Sequence, residues 1–287
     1  MNSGDGVNTV RYCYELFGIR FLLPRPVQYL LEIDMTPETY LFTINVNKNL
    51  VLPSTLVLHE KEIGVEILCP HFGSVLIEDK IIAIHTACEL SELELFVALA
   101  ECIIPLLCAV RGSILIHAGA VALDGKGICF LGASGSGKST SVALAAKEGA
   151  AVLSQDVTVL TYDEMLRQIY IEPGGGFVEL RSPSLSLIEG QFGNGTLYKD
   201  KTLFFLTAGK RVILSDLYFL ASPDYELGLA PPYKIFDLLL GSMLVARYTA
   251  QKFPRLLLKI AEAIAQKVAV YETPLFARTT EIDRGIV

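Results

Sequence analysis

The chain has no tryptophan and only four histidines and four methionines among its 287 residues. Its six cysteines, Cys13, Cys69, Cys88, Cys102, Cys108 and Cys129, form no C-x-x-C pair, and no histidine stands at metal-ligand spacing from them. Zinc ribbons, zinc fingers and thioredoxin-like redox motifs are thereby excluded. Lying mostly inside apolar runs, these cysteines read as buried thiols of a reducing, cytoplasmic compartment. The opening residues lack the charged start, apolar core and small-residue cleavage site of a secretory leader, so none is expected. The nearest approach to a membrane span, residues 95–110, is shorter than the roughly 20 residues that cross a bilayer and contains Glu101 and Pro105. A buried helix is expected there. With a net charge of −7 and no dense basic cluster, neither nucleic acid nor a membrane surface is an expected partner. The modest basic run Lys199, Lys201, Lys210 and Arg211 reads as a solvated face.

What the chain does have is apolar material. Hydrophobic residues make up 52% and charged ones 19%, enough for a full core in one large domain or two small ones. Residues 10–84 carry short apolar runs separated by turn-rich pieces such as Leu23-Pro24-Arg25-Pro26 and Pro70-His71-Phe72-Gly73, a strand pattern. Ser91-Glu92-Leu93-Glu94 is a capping box, predicting a helix from there to about Val110, bent at Pro105. Residues 1–111 therefore read as a β-rich region ending in a helix, and residues 112–287 as a second domain. In that domain residues 113–123 and 127–131 predict two strands joined at Asp124-Gly125, a hairpin turn signal. A helix over 138–148, a strand over 151–153 and extended chain over 157–160 follow. Further on come a strand over 212–220 and two amphipathic helices, 235–250 and 253–271.

Gly132-Ala133-Ser134-Gly135-Ser136-Gly137-Lys138-Ser139 matches G-x-x-x-x-G-K-[ST] in full, between an apolar strand and a helix start. The glycines permit backbone conformations in which successive N–H groups converge on phosphate oxygens at a helix N-terminus, and Thr140 continues the loop into the helix. Lys138 would reach the terminal phosphates, and Ser139 would ligate Mg²⁺. Asp156, after the next strand, is the expected second metal ligand, on the premise that this strand is the parallel neighbour of the loop-bearing one. Hairpin pairing about Asp124-Gly125 puts His117 near Gly132, at the mouth of the loop. His59, His71 and His85 have no such placement. Glu172-Pro173-Gly174-Gly175-Gly176 reads as a flexible loop able to close over a ligand. Arg181, beyond it, offers a fork of donors to a transferring phosphate, or else is a surface residue. Neither L-S-G-G-Q nor N-K-x-D occurs, which argues against transport ATPases and small GTPases.

The run Ile116-His117-Ala118-Gly119-Ala120-Val121, the hairpin, the loop Gly132 to Thr140 and Val152-Leu153-Ser154-Gln155-Asp156 together resemble the HPr kinase/phosphorylase family. The likeness is close over residues 112–160 and weaker beyond, and the front part looks like that of compact relatives such as lasso-peptide serine kinases. The resemblance implies an α/β fold: a phosphoenolpyruvate-carboxykinase-like P-loop domain with the loop strand in a mixed sheet, after a β-rich N-terminal part. It implies ATP and Mg²⁺ as cofactors, a serine hydroxyl of a peptide or small protein as acceptor, and a homo-oligomer. Asp156 matches the metal-side Asp and His117 the family histidine near the phosphates. Gln155 departs from the pattern by standing where the family has the Asp that takes the acceptor proton, and an amide can orient a hydroxyl but not deprotonate it. A kinase assisted by Asp156 or His117, a kinase of free serine, and a regulator that binds ATP without turnover all remain open at this point.

Overall fold

Seven short strands open the chain: β1 (Tyr12–Leu16), β2 (Ile19–Leu23), β3 (Tyr40–Val46), β4 (Val57–Lys61), β5 (Gly64–Cys69), β6 (Gly73–Glu78) and β7 (Ile81–Thr86). They form one sheet in the order β1-β2-β3-β7-β6-β5-β4. Register places Phe42, Ile82 and Ile77 in one cross-strand row and Ile84, Val75 and Ile67 in the next. All six are buried, so one face of the sheet is apolar, as period-2 alternation requires. The computed structural model describes residues 11–70, 72–188, 190, 192–221 and 228–274; His71 lies outside them. Two compact units divide between Ile104 and Pro105, a few residues before the composition break at 111/112.

A helical run covers Glu92–Val110. It begins at α1 (Glu92–Ala98), where Ser91 and Glu94 make the capping box reciprocally. A π-helical turn, Leu99–Ile103, follows, and α2 (Ile104–Val110) completes the run. The expected bend at Pro105 is thus a π turn just before it: proline has no N–H to donate to the carbonyl four residues back, and the Ile104 N–H already bonds Leu99, five residues back. At 19 residues this run is long and apolar enough to cross a membrane by composition. Leu95, Phe96, Leu99, Ile103, Ile104 and Leu107 are nonetheless buried within the protein, as in a core helix.

The second unit is mixed α/β. It runs β8 (Ile114–Leu123), β9 (Lys126–Leu131), α3 (Lys138–Lys147), β10 (Ala151–Ser154), β11 (Val157–Asp163), β12 (Gln168–Glu172), β13 (Phe177–Leu180), α4 (Ser182–Leu185), β14 (Thr196–Tyr198), β15 (Lys201–Phe205) and β16 (Val212–Ala221). It ends with β17 (Gly228–Leu229), α5 (Pro232–Ser242), α6 (Ala246–Lys252), α7 (Pro254–Lys267) and β18 (Ala269–Pro274). β9 pairs antiparallel with β8 and parallel with β16, so the loop-bearing strand does lie in a mixed sheet. The pairings β8 to β11, β11 to β12, β12 to β16, β16 to β9 and β9 to β8 close into a ring.

The two faces of this sheet bury different partners. Ile114, Ile116, Ala118 and Ala120 of β8 join the core under α5 and α7, with Ile235, Leu239, Leu257 and Ile260. Val121, Ile128 and Phe130 face the other way, with Val142 of α3 and with Val178 and Leu180 of β13. β13, β15 and β14 make a separate three-stranded sheet on that side. The two terminal helices expected from periodicity are three helices and a strand. Val245, in the left-handed region at φ 50°, separates α5 from α6, and Pro254 at the start of α7 separates that helix from α6. The stretch 269–271 belongs to β18, parallel to β16. Its Val270 packs into the apolar core, and strand pairing there outweighs helical spacing.

Candidate active site

The site is built on β8, whose side chains alternate. Even-numbered residues fill the α5/α7 core, so His117 and Gly119 point with Val121 toward α3. A Cβ on Gly119 would come within 2.5 Å of Val142 on α3, which shows how closely helix and strand approach. Hairpin register from Leu123↔Lys126 to Ala118↔Leu131 brings His117 one step past Leu131, to the level of Gly132. This is the placement expected from pairing about Asp124-Gly125.

The loop takes the conformation that its glycines predict. Gly132, Gly135 and Gly137 have φ of 147°, 81° and 95°, left-handed values that L side chains avoid. A Cβ on Gly132 would also sit 2.6 Å from Ser136 Oγ and 2.9 Å from the Leu220 carbonyl. Lys138, 5% exposed, donates from Nζ to the carbonyls of Gly132 at 2.9 Å and Ala133 at 3.0 Å, curling the loop around its own ammonium group. Burial pulls this lysine below its usual range, and the opposing charge of Asp156 compensates only in part. Ser136 Oγ is buried with no hydrogen-bond partner among the described residues. A buried hydroxyl without a partner in this loop can donate to an acceptor such as a phosphate oxygen.

Asp156 reaches the site by a different route from the one expected. β10 is not the parallel neighbour of β9. It pairs antiparallel with β8, as does β11, so β8 lies between them and the loop strand. The chain 151–160 is one extended run interrupted at Gln155-Asp156, with its register on β8 shifting earlier, between Val152 and Ser154. Val157 is directly opposite His117, which puts Asp156 beside it: His117 Nε2 lies 3.0 Å from Asp156 Oδ1. Burial pushes the Asp156 carboxyl up, but the hydrogen bond and charge of His117, with Lys138 and Lys201, outweigh burial and hold it below the ordinary carboxylate range. Gln155, 3% exposed, accepts a hydrogen bond from Ser139 Oγ at 3.0 Å through its Oε1.

His117, Lys138, Ser139, Gln155 and Asp156 are thus brought together at the carboxyl end of β9, beside the middle of β8. Ser139 and Asp156 supply the hard oxygen donors that suit Mg²⁺, which takes one or two protein ligands and completes its shell with phosphate and water. Among the described residues no cluster of three His, Cys, Asp or Glu forms a closed metal cage. Ser139 and Asp156 would be the two protein donors to an ion shared with a bound phosphate.

Arg181 lies at the start of the short helix α4, which Thr140 contacts through Ser184. It pairs with Asp200 at 3.3 Å, both side chains well exposed. The triple-glycine segment is pinned rather than loose. Gly174 N–H bonds the Leu153 carbonyl, the Gly176 carbonyl accepts from Leu206, and a Cβ on Gly176, at φ 66°, would meet Ala208 at 2.7 Å. Gly176 lets the chain after β15 approach the backbone closely, while Gly174 hydrogen-bonds β10.

The basic run holds partners that spacing alone did not reveal. Lys201 pairs with Glu179, whose side chain is 2% exposed, and Arg211 pairs with the buried Glu172 while its guanidinium lies 3.8 Å from the Tyr170 ring centroid. A Glu within an apolar strand, as in Tyr170-Ile171-Glu172 and Phe177-Val178-Glu179, is the signal that such a cation must be near. Thr140 Oγ1 also hydrogen-bonds Ser184 Oγ at 2.8 Å, tying the start of α3 to α4.

Comparison with solved structures finds a likeness to the HPr(Ser) kinase/phosphatase from Coxiella burnetii, with 14% identity and a TM-score of 0.33, over 59% of this chain and 85% of that one. No family model matches the chain, and no curated protein matches it.

Proposed function

We propose that this chain is an ATP- and Mg²⁺-dependent kinase that phosphorylates a serine hydroxyl of a peptide or small protein, with lasso-peptide precursors as the substrate class to test first. The observation that carries the reading is the apposition of the glycine loop, with Lys138 at its centre, and the His117–Asp156 pair at 3.0 Å. The loop amides and Lys138 would hold the β- and γ-phosphates, while Ser139 and Asp156 would hold the metal ion. When bound, the ion neutralises charge that develops on the transferring phosphate. His117, oriented by Asp156, stands at the level of Gly132 as the group that accepts the acceptor-hydroxyl proton, a task that Gln155 cannot perform. Phosphoryl transfer depends mainly on positioning and charge stabilisation, so this substitution weakens a kinase without disabling it.

One contact favours a second reading, a regulator that binds ATP without turnover. Gln155 engages Ser139, and a neutral amide at that point leaves the site without its most direct base. Incubation with labelled ATP, Mg²⁺ and serine-containing precursor peptides, followed by phosphosite mapping, separates the two. Phosphoserine that disappears in Lys138→Ala supports the kinase. Transfer by Lys138→Ala as fast as by the parent would place the chemistry elsewhere, and tight ATP binding with no phosphorylated acceptor would select the regulator.

A further inference from the structure

Cys69 Sγ and Cys102 Sγ lie 3.1 Å apart. This is closer than two unbonded sulfurs normally approach and longer than the roughly 2.05 Å of a disulfide. Cys69 is the last residue of β5, and Cys102 sits in the π turn Leu99–Ile103. Within that turn Leu99, Ala100 and Ile103 are buried, while Glu101 and Cys102 are only partly so. Cys69 is 3% exposed and Cys102 is partly exposed as a residue, so peroxide must enter the protein surface locally to reach the pair.

From this juxtaposition we infer that Cys69 and Cys102 are a dithiol that a peroxide converts to an internal disulfide. At this separation either sulfur can donate to the other, and the contact favours one thiolate in the pair, lowering Cys69, while the same contact together with burial raises Cys102. A thiolate is the nucleophile that oxidants meet. It attacks the O–O bond of hydrogen peroxide, giving a sulfenic acid and releasing hydroxide, which takes up a proton as water. The second thiol then displaces the sulfenic oxygen as a second water and forms the S–S bond. In sum, two thiols lose two protons and two electrons, and one peroxide becomes two waters. Burial pushes the Cys108 and Cys129 thiols far above their ordinary range and keeps them out of this chemistry, while Cys88 is exposed but is not in the pair. The bridge would tie the end of β5 to the π turn across 33 positions of sequence.

The test treats the full chain with graded hydrogen peroxide, quenches in acid, alkylates free thiols in denaturant and maps peptides without reductant. The expected result is a Cys69–Cys102 linked peptide that forms at least about tenfold faster than any linkage to Cys88, is reversed by dithiothreitol and is absent in Cys102→Ser. The proposal is overturned if both residues are recovered as alkylated thiols at the dose that oxidises Cys88, or if linkages scatter among Cys69, Cys88 and Cys102. Neither outcome depends on nucleotide binding.

Discussion

Ser139 Oγ donates to Gln155 Oε1 at 3.0 Å, joining the loop serine proposed to hold the metal ion to the residue that stands where the resemblance implies a carboxylate. An Asp at 155, one methylene shorter than Gln, would supply a carboxylate base that the amide lacks. Gln155→Asp is therefore expected to raise phosphate transfer by about tenfold or more, since a positioned general base contributes ~10²–10⁴ in rate. Single-turnover transfer to the mapped serine measures this, and a variant slower than the parent would show that the amide itself is needed.

The His117–Asp156 pair has a pH signature. With its carboxyl held below the ordinary range in the folded protein, Asp156 contributes stability that is fully present above the unfolded carboxylate value of about 3.9 and is lost as pH falls through the lower folded value. His117→Asn removes the largest of the influences that lower this carboxyl. Its urea midpoint should fall below that of the parent at pH 6–7, and the gap should narrow as pH falls below about 3.9. A gap that stays constant over that range would mean that the pair does not couple to Asp156 ionisation.

Glu179 is enclosed and depends on Lys201. Lys201→Met leaves a buried carboxylate without its cation, and the expected loss is about 3 kcal/mol, the low end of the range for broken buried pairs because Lys201 is itself 32% exposed. Adding Glu179→Gln should recover most of it. Urea denaturation of the single and double variants measures both, and additive losses would contradict the pairing.

Much of this site was legible because it is local. The strand, the Asp124-Gly125 hairpin, the loop and α3 follow one another in sequence, and hairpin geometry alone carried His117 to Gly132. Asp156 was legible as a residue but not by its route, because the partner of β10 is chosen by tertiary pairing, and β8 lies between it and β9. Lys201 and Arg211 looked like a solvated face because charge spacing does not report which carboxylates the fold has buried. Glycine at 174–176 signalled freedom of the backbone, but here that freedom serves close packing. Likewise the apolar alternation in 269–271 is too short to distinguish the end of a helix from a strand, and its pairing with β16 settled it.

Calorimetric titration of Mg-ATP into the parent and into Lys138→Ala, with melting curves to establish that both are folded, bears most directly on the loop as a triphosphate cradle. Saturable binding by the parent, weakened by about tenfold to a hundredfold in the variant, is the expected result, since hydrogen bonds to charged groups contribute ~1.5–3 kcal/mol. Equal affinity in the two proteins, or no binding by a folded parent, would contradict it.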